Sequence, residues 1–139
     1  MKFDIAFMRN LDSEYRDFSG LNERRFYSIF YSQIKPSKTL ILGYNPGGDP
    51  ENWDESALAS PSFYEKHEHE YVDTNFPTSL GMRNYLLGSR LVDSVDQIRD
   101  IPKINLIFRR SRNMNELSIS PRQALAEAQP FVEKIIDTV

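Results

Sequence analysis

Cysteine is absent from the chain, which excludes disulfides, thiolate zinc sites and iron–sulfur clusters together. No run of about 18 apolar residues occurs, so no membrane span is expected. The start, Met1-Lys2-Phe3-Asp4, lacks the apolar core of a signal peptide. Nor does one sign of charge dominate: 17 basic against 20 acidic side chains leave −3, unlike a strongly basic protein that coats nucleic acid. Internal repeats, low-complexity tracts and linkers are missing too. At 139 residues the chain holds one domain at most. A cytoplasmic setting is the default expectation.

What is present is a punctuated α/β pattern. Phe3, Ile5 and Phe7 alternate, which suits a short edge strand or an irregular arm. From Asn22 to Gln33, Phe26, Ile29 and Phe30 recur at helical spacing and Pro36 stops the pattern, so a first helix is expected, with Phe26, Tyr27, Phe30 and Tyr31 in the core. A buried strand follows over 39–43, then loop over 46–63. Helical spacing returns over 79–88, with a short turn over 92–99. Ile104–Phe108 reads as a second strand, after which Arg109, Arg110 and Arg112 turn outward. Ser120 is a good N-cap with Pro121 at the first helical position. Leu125, Ala128, Val132, Ile135 and Val139 form one apolar stripe, with Pro130 expected to kink the helix or limit its first half.

Two short strands about sixty residues apart with helix between them suggest a parallel βαβ unit. A two-stranded sheet is marginal by itself. The expectation is therefore a single, incomplete domain over 1–139, or one that completes its sheet by pairing with another copy as a homo-oligomer.

The most informative stretch is Thr39-Leu-Ile-Leu-Gly-Tyr-Asn-Pro-Gly-Gly48. An apolar run is cut off by Gly43, and the turn holds a lone Asn45 among glycines and a proline. In α/β proteins ligands bind beyond the carboxyl ends of parallel strands, which is where this loop would sit. The same residues also make an ordinary turn. Gly47-Gly48 lacks the Lys-Ser/Thr of a P-loop and the spacing of a dinucleotide site. His67-Glu68-His69-Glu70 offers two imidazoles without an evident third ligand, so an exposed face is expected there and no metal.

Leu40–Gly47 resembles the first catalytic motif of the uracil-DNA glycosylase superfamily, closest to the branches whose loop reads Gly-x-Asn-Pro-Gly, the mismatch-specific and single-strand-selective enzymes. Ile104–Ser111 is similar to that family's second strand, and Ala124–Val139 to the helix before its third. The likeness covers 38–139 in outline, with 50–100 unmatched in detail. The family's second catalytic motif, a His-containing loop after its fourth strand, has no counterpart, since His67 and His69 lie elsewhere. The resemblance implies a three-layer α/β/α fold with a central parallel sheet, of which this chain covers part. It also implies a DNA glycosylase of base excision repair, acting on uracil or a related damaged pyrimidine in single- or double-stranded DNA, without cofactor. Asn45 would position water; Tyr44 and Asn105 would bind the base. Gly47, Gly48, Arg109, Arg110 and Arg112 would meet phosphates, and Trp53 and Phe63 are candidate stacking rings. The alternative is a non-catalytic nucleic-acid- or protein-binding module on the same scaffold.

Overall fold

In the computed structural model, which describes residues 4–47, 50–52 and 67–139, the amino-terminal segment is a helix, α1 (Ile5–Ser19). The Asp4 carboxylate accepts from the Ala6 and Phe7 amides at 3.0 and 3.3 Å, satisfying donors that a helix start leaves orphaned. Gly20 ends the helix at φ 75°, in the left-handed region that favours glycine. Met8, Leu11 and Tyr15 are buried along it. This corrects the strand or arm expected there. The cap and a three-to-four-residue spacing sustained over four turns outweigh the brief alternation of Ile5 and Phe7; Phe3 lies outside the described residues.

The helix expected over 22–33 is also absent. Only Arg24–Phe26 makes a single 3-10 turn. Residues 27–31 then run beside the second strand, through antiparallel bridges Tyr27–Arg109 and Phe30–Ile104. The Ser28 amide donates to the Phe108 carbonyl at 2.8 Å, and that of Tyr31 to Lys103 at 3.2 Å. All eight residues from 27 to 34 are buried. A helix at a domain edge keeps one side in water, whereas an extended chain bonded along one edge, with Tyr27, Ile29, Phe30 and Ile34 packed in the core, can bury both faces. Phe26 leaves the expected core and lies under the Arg25 guanidinium, 4.6 Å from its ring centre.

Strands β1 (Ile41–Gly43) and β2 (Lys103–Asn105) pair in parallel, with Ile41 opposite Lys103, Leu42 opposite Ile104 and Gly43 opposite Asn105. β2 ends earlier than the expected 104–108. Its continuation still tracks the loop after β1: the Leu106, Ile107 and Ser111 amides donate to the Gly43, Tyr44 and Pro46 carbonyls. Ile104 belongs to a cluster with Met8, Tyr15, Phe108, Phe131 and Ile135. Ile41 packs on a second one built from Tyr71, Leu86, Val92, Ile98 and Ile101. The second cluster is carried by α2 (Glu70–Asp73), α3 (Pro77–Gly88) and the 3-10 turn Asp96–Asp100. The architecture is thus mixed helix and strand around a small parallel two-stranded sheet.

The closing helix, α4 (Pro121–Thr138), opens with Ser120 and Gln123 each bonding the other's backbone amide, the capping box. Pro130 does not limit it. The proline faces solvent, while Ala124 and Ala128 before it and Phe131, Val132 and Ile135 after it are buried. Packing on both sides offsets the one missing backbone bond. No helix among the described residues is long and apolar enough to cross a membrane.

Candidate functional site

The carboxyl ends of β1 and β2 lie side by side, and Gly43 is what lets them carry polar groups there. A methyl group at position 43 would lie 2.1 Å from the Asn105 carbonyl oxygen and 3.4 Å from Lys103 Nζ. Only a glycine leaves that space to the amide. Asn105 is 2% exposed, and its Oδ1 lies against the bare backbone of Gly43. A side-chain amide carries one acceptor and two donors on a single plane.

Two residues beyond Gly43, Asn45 is half-buried. Its Nδ2 donates to the Pro46 carbonyl at 3.2 Å and to Ser111 Oγ at 3.1 Å. Ser111 is itself buried and donates to the Asn113 carbonyl at 2.6 Å. Both amide protons being occupied, the Asn45 rotamer is fixed with Oδ1 as the remaining acceptor. Tyr44 is 53% exposed at the same loop. Gly47 is held by its carbonyl, which accepts from Arg110 Nη1. Gly48, Trp53 and Phe63 lie outside the described residues.

Beneath this loop is a buried polar group that the sequence did not single out. Lys103, 4% exposed, places Nζ 2.7 Å from Glu70 Oε2 and 4.2 Å from the centre of the Tyr31 ring. Arg110 is buried near Tyr31 and Glu70; burial pulls its pKa down and the Tyr31 and Glu70 oxygens oppose that. Burial likewise pushes the Tyr31 phenol up to about 12, against the opposing charge of Arg110, so it stays protonated. A lysine inside an otherwise apolar strand, Ile101-Pro102-Lys103-Ile104, was the available signal for this cluster.

The outward turn expected of three arginines holds for one. Arg109 points inward and grips Glu127 through Nε and Nη2 at 2.9 and 2.7 Å. Arg110 is buried, and Arg112 alone is well exposed, paired with Glu116 at 2.7 Å. Desolvation explains the difference: an arginine following an apolar strand is carried under the loop, where carboxylate and carbonyl partners satisfy it.

His69 also departs from the exposed face expected of it. It is 0% exposed, with Nδ1 accepting from the Tyr71 amide at 3.0 Å and Nε2 2.9 Å from the Ile101 carbonyl. Both nitrogens are occupied by backbone, so the ring caps α2 and leaves no lone pair for a metal. Burial lowers its pKa to about 4, and the positive charge of Lys103 adds to that, against the Ile101 carbonyl and Asp73. In an unfolded chain it would titrate near 6.5. The unfolded state therefore binds an extra proton between those values, and stability present above pH 6.5 is lost as pH falls towards 4. Urea unfolding should register a loss of about 3 kcal/mol across that window. His69→Asn should flatten the profile; an equally steep decline in that variant would assign it elsewhere. Compared with protein-family models, curated proteins and solved structures, the chain matches none.

Proposed function

We propose that the chain is a DNA glycosylase of the uracil-DNA glycosylase superfamily, on a three-layer α/β/α scaffold, that hydrolyses the N-glycosidic bond of uracil or a related damaged pyrimidine. One observation carries the reading. Two asparagines occupy the carboxyl ends of adjacent parallel strands: Asn105 is buried at the end of β2, and Asn45 is half-exposed two residues beyond β1, with Oδ1 left as an acceptor among the described residues. Removing a base requires the nucleotide to be extruded from the stack at a few kcal/mol, and stacking on an aromatic ring returns about 1–3 kcal/mol per base. Tyr44 supplies such a ring. The Asn105 amide, with donor and acceptor on one plane, matches the edge of a uracil-like base bidentately. Asn45 Oδ1 accepts a hydrogen bond from water and orients it towards the sugar carbon as positive charge develops there. A neutral amide is a weak base, so this role is positioning. Arg112 and the Gly47 backbone are the phosphate contacts this reading retains.

The test is release of uracil from labelled single- and double-stranded oligonucleotides by the protein, read as alkali-labile abasic sites. Product on either substrate is expected. Tight binding of uracil-containing DNA with no base released would replace the enzyme with a non-catalytic module on the same scaffold.

A further inference from the structure

Lys103 has no part in the roles given to Asn45 and Asn105, yet its ammonium lies near the Asn105 amide. Its backbone pairs with Ile41, at the entry of the sheet. The side chain then runs towards the carboxyl end, so that Nζ lies 3.4 Å from where a Gly43 methyl would be, a point only 2.1 Å from Asn105 Oδ1. Glu70 fixes the ammonium from one side, and the rings of Tyr31 and Tyr71 lie 4.2 and 5.4 Å from it. A buried ammonium is costly even when paired, and an ion pair serving packing alone is replaceable by hydrocarbon. This one is held beside the Asn105 amide at the carboxyl end of the sheet.

We propose that Lys103 is the charge-stabilising group of the base pocket: with Asn105 it meets the negative charge the pyrimidine acquires as it departs, and directs the site to bases that leave as anions. The assignment rests on the glycosylase reading. When the C1′–N1 bond breaks, its electron pair goes to the base. The water oxygen bonds to C1′, one water proton passes to solvent, and the base anion later takes up a proton, so water is added across the bond. A fixed cation in a water-poor site acts on the departing charge and is weaker towards the neutral base before cleavage. Glu70 and the two tyrosines act as positioning residues for that ammonium.

The test compares oligonucleotides carrying uracil or 5-fluorouracil, whose fluorine stabilises the departing anion without help from the protein. Lys103→Met should lose at least tenfold on uracil and distinctly less on 5-fluorouracil, raising the ratio of the two rates, while Lys103→Arg keeps the ratio near that of wild type. Because Lys103→Met strands the Glu70 carboxylate, the double variant Lys103→Met/Glu70→Gln, shown folded by its melting curve, carries the same expectation. Equal losses on both bases, or an unchanged ratio in the folded double variant, overturn the assignment and leave the glycosylase reading standing. Borohydride trapping of Lys103 on the DNA would overturn it too, making the lysine a nucleophile. No excision of either base by the wild-type protein removes both readings.

Discussion

Replacing Asn45 with alanine should lower the single-turnover rate of uracil excision about a hundredfold, with DNA affinity and the melting transition close to those of the wild type. Among the described residues the side chain bonds only the Pro46 carbonyl and Ser111 Oγ, and each such bond contributes about 0.5–1.5 kcal/mol net to stability. Its loss is small because each partner keeps another bond: the Pro46 carbonyl accepts from the Ser111 amide, and Ser111 Oγ donates to the Asn113 carbonyl. The rate effect is larger because the water is then free to rotate and drift, and a hundredfold corresponds to about 2.7 kcal/mol of transition-state stabilisation. Ser111→Ala separates orientation from presence. It leaves Asn45 in place with one anchor instead of two, so a smaller loss in rate is expected, with DNA binding unchanged. Burst and single-turnover kinetics on one labelled strand measure both. An Asn45→Ala enzyme that excises uracil at the wild-type rate would end the water-positioning role.

The residues that announced themselves in the sequence were those whose local chemistry has few uses. Ser120 followed by Pro121 marks a helix start, and α4 begins there. Gly43 closing a short apolar run marked the end of β1, and the parallel pairing with the strand near Ile104 followed from spacing and intervening helix. Residues 27–34 were misread because aromatic spacing in an all-buried segment is degenerate: extended or helical, every ring is inside, and only the backbone pairing with 103–109 decides it. The site was legible in the same uneven way. Asn45 and Asn105 stood out as amides at the ends of apolar strands. Ser111, Glu70 and Tyr31 did not, since each acquires meaning only from a partner far away in sequence: Ser111 from Asn45, and Glu70 and Tyr31 from Lys103. Arg109 and Arg110 read as a basic patch because a sequence shows charge and hides desolvation.

Arg109→Ala should destabilise the protein by about 3–5 kcal/mol, the largest stability effect expected of any single side chain here. The guanidinium forks onto Glu127 through two bonds and reaches Ser118 Oγ with a third at 2.9 Å. Tyr15 donates to the same carboxylate at 2.8 Å, and its ring packs edge-on against Phe108 and Phe131. One buried carboxylate therefore joins α1, α4 and the segment after β2. Burial first, and then Glu127, push the Tyr15 phenol far above its ordinary range, so it remains a donor at any physiological pH. Removing Arg109 leaves Glu127 charged and poorly solvated with Tyr15 as its one remaining donor in that network. The pair itself is worth less than this loss, so Arg109→Met/Glu127→Leu should recover most of it. Urea unfolding of both singles and the double gives the coupling directly. The same variants bear on DNA: with Arg109 held inward, the slope of log affinity against log salt should be unchanged in the double variant, whereas a true phosphate contact would lower it by about 0.7–0.9. A loss below about 1 kcal/mol for Arg109→Ala would mean a loose surface contact, and the guanidinium would then be free to meet a phosphate after all.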